Sequence, residues 1–312
     1  MTSQIIRYPS ANGSNTISAR IWRPEDGTVV RGVVQIAHGM VEHGGRYEDF
    51  AAYLVSQGFV AAANDHAGHG ESHGDTWGYM GGHLVMVRDM RTLFEKLKKE
   101  YPQAPYFLLG HSMGSFLARA YAELYPEGIR GFLYSGTGNA PFGISAVLVL
   151  TRVLALFLGK KTTGKFLNKI LDGDYNKKFE HRTGSDWLSR DQDRVDRYAQ
   201  DPLTQFIFTY GGYLDLFRLL RMVSRRGWYK KVPAATPVLL FSGDMDPVGN
   251  YGKDPRLIER RLKERGNADV TLLLYPEGRH EMLNELNRQD VYRDITNWCT
   301  KHIHSQMKGA LV

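Results

Sequence analysis

A single cysteine, Cys299, stands among 312 residues. No intramolecular disulfide can therefore form, and no cysteine cage can hold a metal. The lone thiol suits a reducing compartment, so a cytoplasmic protein is expected. A secretory start is also lacking: Met1 to Arg7 has neither the basic stretch nor the long apolar stretch of a signal segment. The end, Gly309-Ala-Leu-Val312, matches no lipidation signal. No charge-free apolar run reaches the roughly 20 residues of a membrane span. The nearest, Phe142 to Leu158, carries Arg152 inside it, at a cost of roughly 2.5–3.5 kcal/mol in a bilayer. It reads as a buried or interfacial helix. Internal repeats and low-complexity tracts are missing as well.

What is present is an ordinary globular balance, with 42% hydrophobic and 23% charged residues. That excludes wholesale disorder, and the length suits one large α/β domain or two smaller ones. The formal charge of +7 is not spread evenly. Residues 140–230 hold 16 Lys and Arg against 9 Asp and Glu, and the remaining 24 of each sign cancel. Lys160, Lys161, Lys165 and Lys169 follow directly on the apolar stretch. Apolar sequence flanked by cations is the pattern of a surface that lies on anionic lipid, so peripheral membrane contact is one expectation. The other is that the apolar face covers a site and the lysines are plain solvated charge. The basic residues form no nucleic-acid reading motif and no aromatics are interleaved as a stacking platform, so nucleic acid is not expected as a partner.

Short apolar strands alternate with helical patterns, the signature of a mostly parallel sheet flanked by helices. Strands are expected at 33–37, 59–63, 106–109, 132–135, 237–241 and 270–274. Helices are expected near 46–57, at 83–100 from the spacing of Leu84, Val87, Met90, Phe94 and Leu97, over 116–125 and over 288–306. Another is expected to open at Asp254-Pro255, with Asp254 as its cap. The alternation breaks between the fourth strand and the fifth. The plan is one α/β core, residues 1–136 and 233–312, with a helical cap or lid inserted at 137–232.

Gly110-His-Ser-Met-Gly114 joins a strand to a helix. In that setting G-x-S-x-G presents its serine on a sharp turn above the sheet, so Ser112 is the expected nucleophile; the alternative is a serine that merely caps a helix. A serine hydroxyl needs a base, and the base an orienting acid. His280 is the one histidine between the last strand and the last helix, and it is the expected base. Asp246 and Asp244 both follow the strand before it. The G-x-x-D spacing from Gly243 favours Asp246, with Asp244 read as a turn cap and Glu281 as a scaffold ion pair. Backbone N–H groups of Met113 and of Met40, in the His38-Gly-Met40 loop, are the expected oxyanion donors.

These stretches resemble the α/β-hydrolase superfamily, and within it the monoacylglycerol lipase and lysophospholipase branch that is also filed with serine aminopeptidases. The likeness rests on His38-Gly-Met-Val-Glu-His43 with Arg46-Tyr47, Asp65-His-Ala-Gly-His-Gly70 with Ser72, Gly110 to Gly114, Gly243 to Asp246 and Gly278 to His280. It implies the α/β-hydrolase fold, Ser112, Asp246 and His280 as catalytic residues, and Met40 and Met113 as oxyanion donors. It also makes Asp186 to Asp191, Tyr198 and Asp201 to Leu203 look like the lid of bacterial members. Glu42, His43 and His111 are tentative substrate contacts, Glu42 and His43 with the alternative role of bracing the oxyanion loop. His66, His69 and His73 do not complete a metal set, and no metal or cofactor is expected. Cys299 is expected as buried apolar filler. The expected activity is cleavage of a lipophilic carboxylic ester of a small polar alcohol through an acyl-enzyme. The alternatives are a peptidase or amide hydrolase using the same residues, and a hydrolase-fold receptor for a small ligand.

Overall fold

The computed structural model describes residues 1–304, with side chains described except at 171–174 and 304. Eight strands form a sheet in the order β1-β2-β4-β3-β5-β6-β7-β8. These are β1 (Thr2–Pro9), β2 (Thr16–Arg23), β3 (Gly32–Ala37), β4 (Phe59–Asn64), β5 (Tyr106–His111), β6 (Gly131–Ser135), β7 (Val238–Gly243) and β8 (Val270–Tyr275). From β4 to β8 every neighbouring pair is parallel, and every residue of β3, β4, β5, β6 and β7 is buried. Strands covered on both faces need apolar residues at every position, which explains their continuous Val, Ala, Leu and Phe runs.

Alternate residues of the central strands enter two separate cores. Val34 and Ile36 of β3 join Phe50, Leu54, Tyr292 and Ile295, from α1 (Glu48–Ser56) and α9 (Arg288–His304). Val33 and Ala37 join Met90, Leu93 and Leu117, from α2 (Val85–Glu100) and α3 (Met113–Leu124). Cys299 is buried in the α1–α9 core. Residues 305 and 306, expected in the last helix, lie outside the described residues.

Two features depart from expectation. An antiparallel hairpin, β1 and β2, paired from Thr2–Arg23 to Pro9–Thr16, precedes the first expected strand. Its turn contains Asn12-Gly13, and Ile17, Ala19 and Ile21 alternate into the core, both legible hairpin signals. Second, α8 spans Lys253–Glu264 and opens after Gly252, at φ 79°. Asp254 thus lies in the first turn rather than at the cap, where Oδ2 accepts the Asn139 N–H at 2.8 Å.

Between β6 and β7 lie α4 (Ile144–Phe157), α5 (Lys165–Tyr175), α6 (Gln192–Gln200) and α7 (Tyr210–Ser224), with α4 packed along α7. The chain leaves β3 toward β4 on one side and returns to β5 on the other. Loops after β3 and β5 therefore diverge, opening a crevice at the carboxyl ends of the strands, where sites of open α/β sheets form.

Candidate active site

Strand β5 runs through His111 directly into Ser112, and α3 begins at Met113. Ser112 takes φ 52° and ψ −121°, a backbone region that L residues seldom occupy. The turn closes because glycine stands two residues before the serine and two after it. A Cβ on Gly110 would lie 2.1 Å from the Gly114 carbonyl oxygen, and one on Gly114 would lie 2.0 Å from that of Ala37. Ser112 is anchored by its own N–H to the Ser135 carbonyl at 2.9 Å. Its side chain makes no capping bond to the helix, so the hydroxyl is left for other work.

His280 lies in the loop after β8, fully enclosed, with its ring between Trp187 at 4.9 Å and His111 at 4.7 Å. Nδ1 meets Asp246 Oδ1 at 2.9 Å. Asp246, completely buried, also accepts the Val248 N–H at 2.9 Å and the Ser242 hydroxyl at 3.1 Å. Burial alone would depress the His280 pKa. The Asp246 charge and hydrogen bond, with Glu281 and Glu42 nearby, outweigh burial and raise it above the ordinary histidine value. Burial pushes Asp246 the other way, but His280 and the hydrogen bonds hold its carboxyl below the usual range. Asp244, the rival acid, accepts the Glu277 N–H at 2.7 Å and ties together the loops after β7 and β8.

The loop after β3 passes over Ser112: a Cβ on Gly39 would lie 3.1 Å from Ser112 Cβ. Among the described residues, neither the Met40 nor the Met113 N–H meets a protein acceptor. Glu42 holds this loop, accepting from the Gly39 N–H, the Tyr47 hydroxyl at 2.9 Å and Arg46 at 2.7 Å. Arg46 grips Glu281 with two bonds of 2.7 Å and lies over the Tyr198 ring at 4.7 Å. Burial would raise the Glu281 pKa, but Arg46 overrides it and holds the carboxyl down at about 2.

Ser112, His280, Met40, Met113, Glu42 and His111 all line one cavity of about 1590 Å³. Phe116, Ile144, Val147, Leu216, Phe217 and Leu220 supply an apolar wall. His111 is neutral, its pKa driven to about 3 by burial and by His280, and its Nδ1 lies 3.3 Å from the Ser135 hydroxyl. His43, a tentative substrate contact, does not line this cavity. Its Nε2 meets Asp201 at 2.8 Å and it faces a separate cleft with Arg194 and Arg197. The reason is local: His43 caps the 3₁₀ turn at Gly44–Tyr47, accepting from the Gly45 N–H on Nδ1, which turns the ring away from Ser112. His66 and His69 pack ring to ring with His38.

The wall from α7 lies outside the sequence expectations, and Trp187, expected only as part of a lid-like stretch, packs over His280. Leu216, Phe217 and Leu220, three and four apart, form a stripe that periodicity could have flagged. Trp187 carries no such signal, because its place depends on the His280 N–H meeting the Trp187 carbonyl at 3.3 Å.

Residues 28–287 match the family described as serine aminopeptidase, S33. The chain is 31% identical to a monoacylglycerol lipase of Mycolicibacterium smegmatis, over 91% of this chain and 92% of that protein. It is likewise 31% identical to a monoglyceride lipase of Homo sapiens, over 90% and 86%. A thermostable carboxyl esterase from Bacillus coagulans, solved in complex with glycerol, superposes with a TM-score of 0.88 at 32% identity, covering 97% of this chain and 99% of that one. The eight-stranded sheet, the strained serine after β5 and these likenesses agree: the chain belongs to the serine aminopeptidase S33 family of α/β-hydrolases, on its monoacylglycerol lipase-like branch, and is a carboxylester hydrolase.

Proposed function

We propose that the chain cleaves monoesters of a lipophilic acyl chain with a small polar alcohol, of the monoacylglycerol or lysophospholipid type, through an acyl-enzyme on Ser112. The observation that carries this reading is that His280, paired with buried Asp246 at 2.9 Å, lines the same apolar-walled cavity as Ser112. Asp246 holds the proton on His280 Nδ1, which leaves Nε2 unprotonated and able to take the Ser112 proton as Oγ attacks the ester carbonyl. The developing oxyanion is received by the Met40 and Met113 N–H groups, each such donor typically contributing about 2.7–4 kcal/mol. His280 passes its proton to the departing alcohol, and water repeats the sequence to free the acid. A lipophilic chain suits the Phe116, Ile144, Val147, Leu216, Phe217 and Leu220 wall, whereas Glu42 and Glu281 offer acceptors for hydroxyls.

Turnover across an acyl-length series of monoacylglycerols and lysophospholipids, run beside an amino-acid arylamide, tests this. Ester turnover that rises with chain length and vanishes in Ser112→Ala supports it. Faster arylamide turnover favours a peptidase, and rapid labelling by a fluorophosphonate without turnover favours a receptor.

A second reading concerns where the enzyme works. The outward side of α4 and its flanks present Phe142, Leu156 and Phe157 at 108%, 76% and 80% exposure, beside Val149, Leu150, Val153, Phe166 and Ile170. Lys160, Lys161, Lys165 and Lys169 rim this patch in sequence and are exposed. Among the described residues no helix is long and apolar enough to cross a membrane. Such a face suits shallow insertion into an anionic lipid surface, from which the substrate would enter. Sedimentation with phosphatidylglycerol vesicles, weakened by salt and absent with uncharged vesicles, is the expected result. Equal binding to both vesicle types counts against a role for the lysines.

A further inference from the structure

We propose that His38 is a positioning residue whose ring donates from Nδ1 to the Gly39 carbonyl and so aims the Met40 N–H at the oxyanion; this rests on the acyl-enzyme reading above. His38 and His66 are both completely buried, with ring centroids 4.0 Å apart. The backbone N–H of His66 meets His38 Nε2 at 2.9 Å. A backbone N–H can only donate, so Nε2 carries no proton and the proton of a neutral ring sits on Nδ1. Nδ1 faces the Gly39 carbonyl oxygen at 2.8 Å. Burial, reinforced by His66 and His69, holds the His38 pKa well below the ordinary value, which keeps the ring neutral.

The partner ring is fixed in the same way. Asn64 Nδ2 lies 3.3 Å from His66 Nδ1, and His66 Nε2 lies 3.2 Å from the His38 carbonyl oxygen. Asn64 donates to Nδ1 and His66 donates from Nε2, so each ring nitrogen in the pair has one role. Burial drives His66 to about 3, and it too stays neutral.

The consequence falls on two successive peptide groups. The first, His38–Gly39, is held at its oxygen by His66 Nε2 and at its N–H by Glu42. The second, Gly39–Met40, is held at its oxygen by His38 Nδ1. In a trans peptide the C=O and the following N–H point in opposite directions. Tethering the Gly39 oxygen therefore sets the direction of the Met40 N–H, which meets no protein acceptor among the described residues. Without the tether this peptide can rotate, and one donor of the pair is lost when charge develops.

The test compares His38→Asn, His38→Gln and His38→Leu on p-nitrophenyl octanoate. The Asn amide places an N–H where Nδ1 was; the Gln amide reaches the Nε2 position instead. Gln and Leu should lose about 10–100-fold in kcat with little change in KM, a part of the 10²–10³ that one oxyanion donor supplies. Asn should recover most of that loss. Inhibition by an octyl trifluoromethyl ketone, which binds as an alkoxide, should weaken in step with kcat, whereas affinity for octanoate should not. Equal losses in Asn and Gln, or a loss carried by KM, overturn the proposal. Nitrogen-15 spectra of the wild-type histidine rings decide it without any variant: an Nδ1–H pattern for His38 is expected, and an Nε2–H or doubly protonated pattern refutes it. Wild-type protein inert toward every ester would instead sink the acyl-enzyme reading, while the ring spectra would still report on His38.

Discussion

Ser112 combines an uncommon backbone, φ 52° and ψ −121°, with a hydroxyl that caps nothing. Strain of this kind costs on the order of 1–3 kcal/mol and persists only where surrounding structure over-determines it. Glycine adopts this region freely, so Ser112→Gly should unfold at higher urea than Ser112→Ala, by about 1 kcal/mol. Both should lose at least about 10³-fold in ester turnover. The reacting histidine must be neutral to act as a base, and Asp246 raises the pKa of His280. The acid limb of the kcat/KM profile should therefore lie above the ordinary histidine value. In Asp246→Asn kcat should fall by about 10⁴-fold and the limb should move to lower pH. An unmoved limb would mean that another group titrates. Ser112 and His280 were legible because motif and strand order suffice to place them, and Asp246 because its spacing from Gly243 matches the loop. The Arg46–Glu281 clamp was not, since its partners are 235 residues apart and nothing local pairs them.

At the scale of elements, α4 is the informative case. It is apolar on nearly all sides, so periodicity cannot say which side is inward. In the folded chain Ile144 and Val147 line the cavity and Thr151 and Ala155 are buried, while Val149, Leu150, Val153, Leu156 and Phe157 face outward. The inner face thus covers the cavity, as one expectation had it, while the outer face is apolar and exposed. Replacing Leu156 and Phe157 together by Asp should reduce vesicle association by about 10-fold or more, since burying one such side chain contributes roughly 1.5–3 kcal/mol. Turnover of a water-soluble short-chain ester should change little. Unaltered sedimentation would show that α4 does not meet the lipid. The hairpin of β1 and β2 teaches the opposite lesson: its Asn12-Gly13 turn and alternating Ile17, Ala19 and Ile21 were legible, but strands of mixed polarity are weak signals beside the apolar runs of a parallel sheet.

For the whole molecule, the N-terminal hairpin is tied to the core through a buried carboxyl. Asp89 on α2 accepts the Ser10 hydroxyl at 2.8 Å and the Ala11 N–H at 2.7 Å. Burial outweighs these bonds and raises its pKa to about 6. The folded state then binds the Asp89 proton more tightly than the unfolded chain does. Its contribution to stability is complete below the unfolded value of about 3.9 and is lost as pH rises through about 6. Urea unfolding at pH 4.5 and 7.5 should show a stability difference that shrinks by about 1–3 kcal/mol in Asp89→Asn. An unchanged difference would assign the dependence to other groups, Asp215 first among them, which burial also raises to about 6.

The sequence by itself determined the chain order of the six parallel strands and their covering helices, and it singled out Ser112, His280 and Asp246, which the proposed mechanism uses. All of these follow from local periodicity, turn chemistry and chain order. The confinement of the +7 charge to residues 140–230 was equally plain. Only the tertiary structure decided that His43 turns away from Ser112 toward Asp201, that Trp187 covers His280, that α4 is apolar on an outer face as well as an inner one, and that His38, His66 and Glu42 converge on the loop after β3. Apart from the local cap that orients His43 and the Gly39–Glu42 bond, those contacts depend on groups far apart in sequence meeting across a packed interior. Local composition carries no record of such distances.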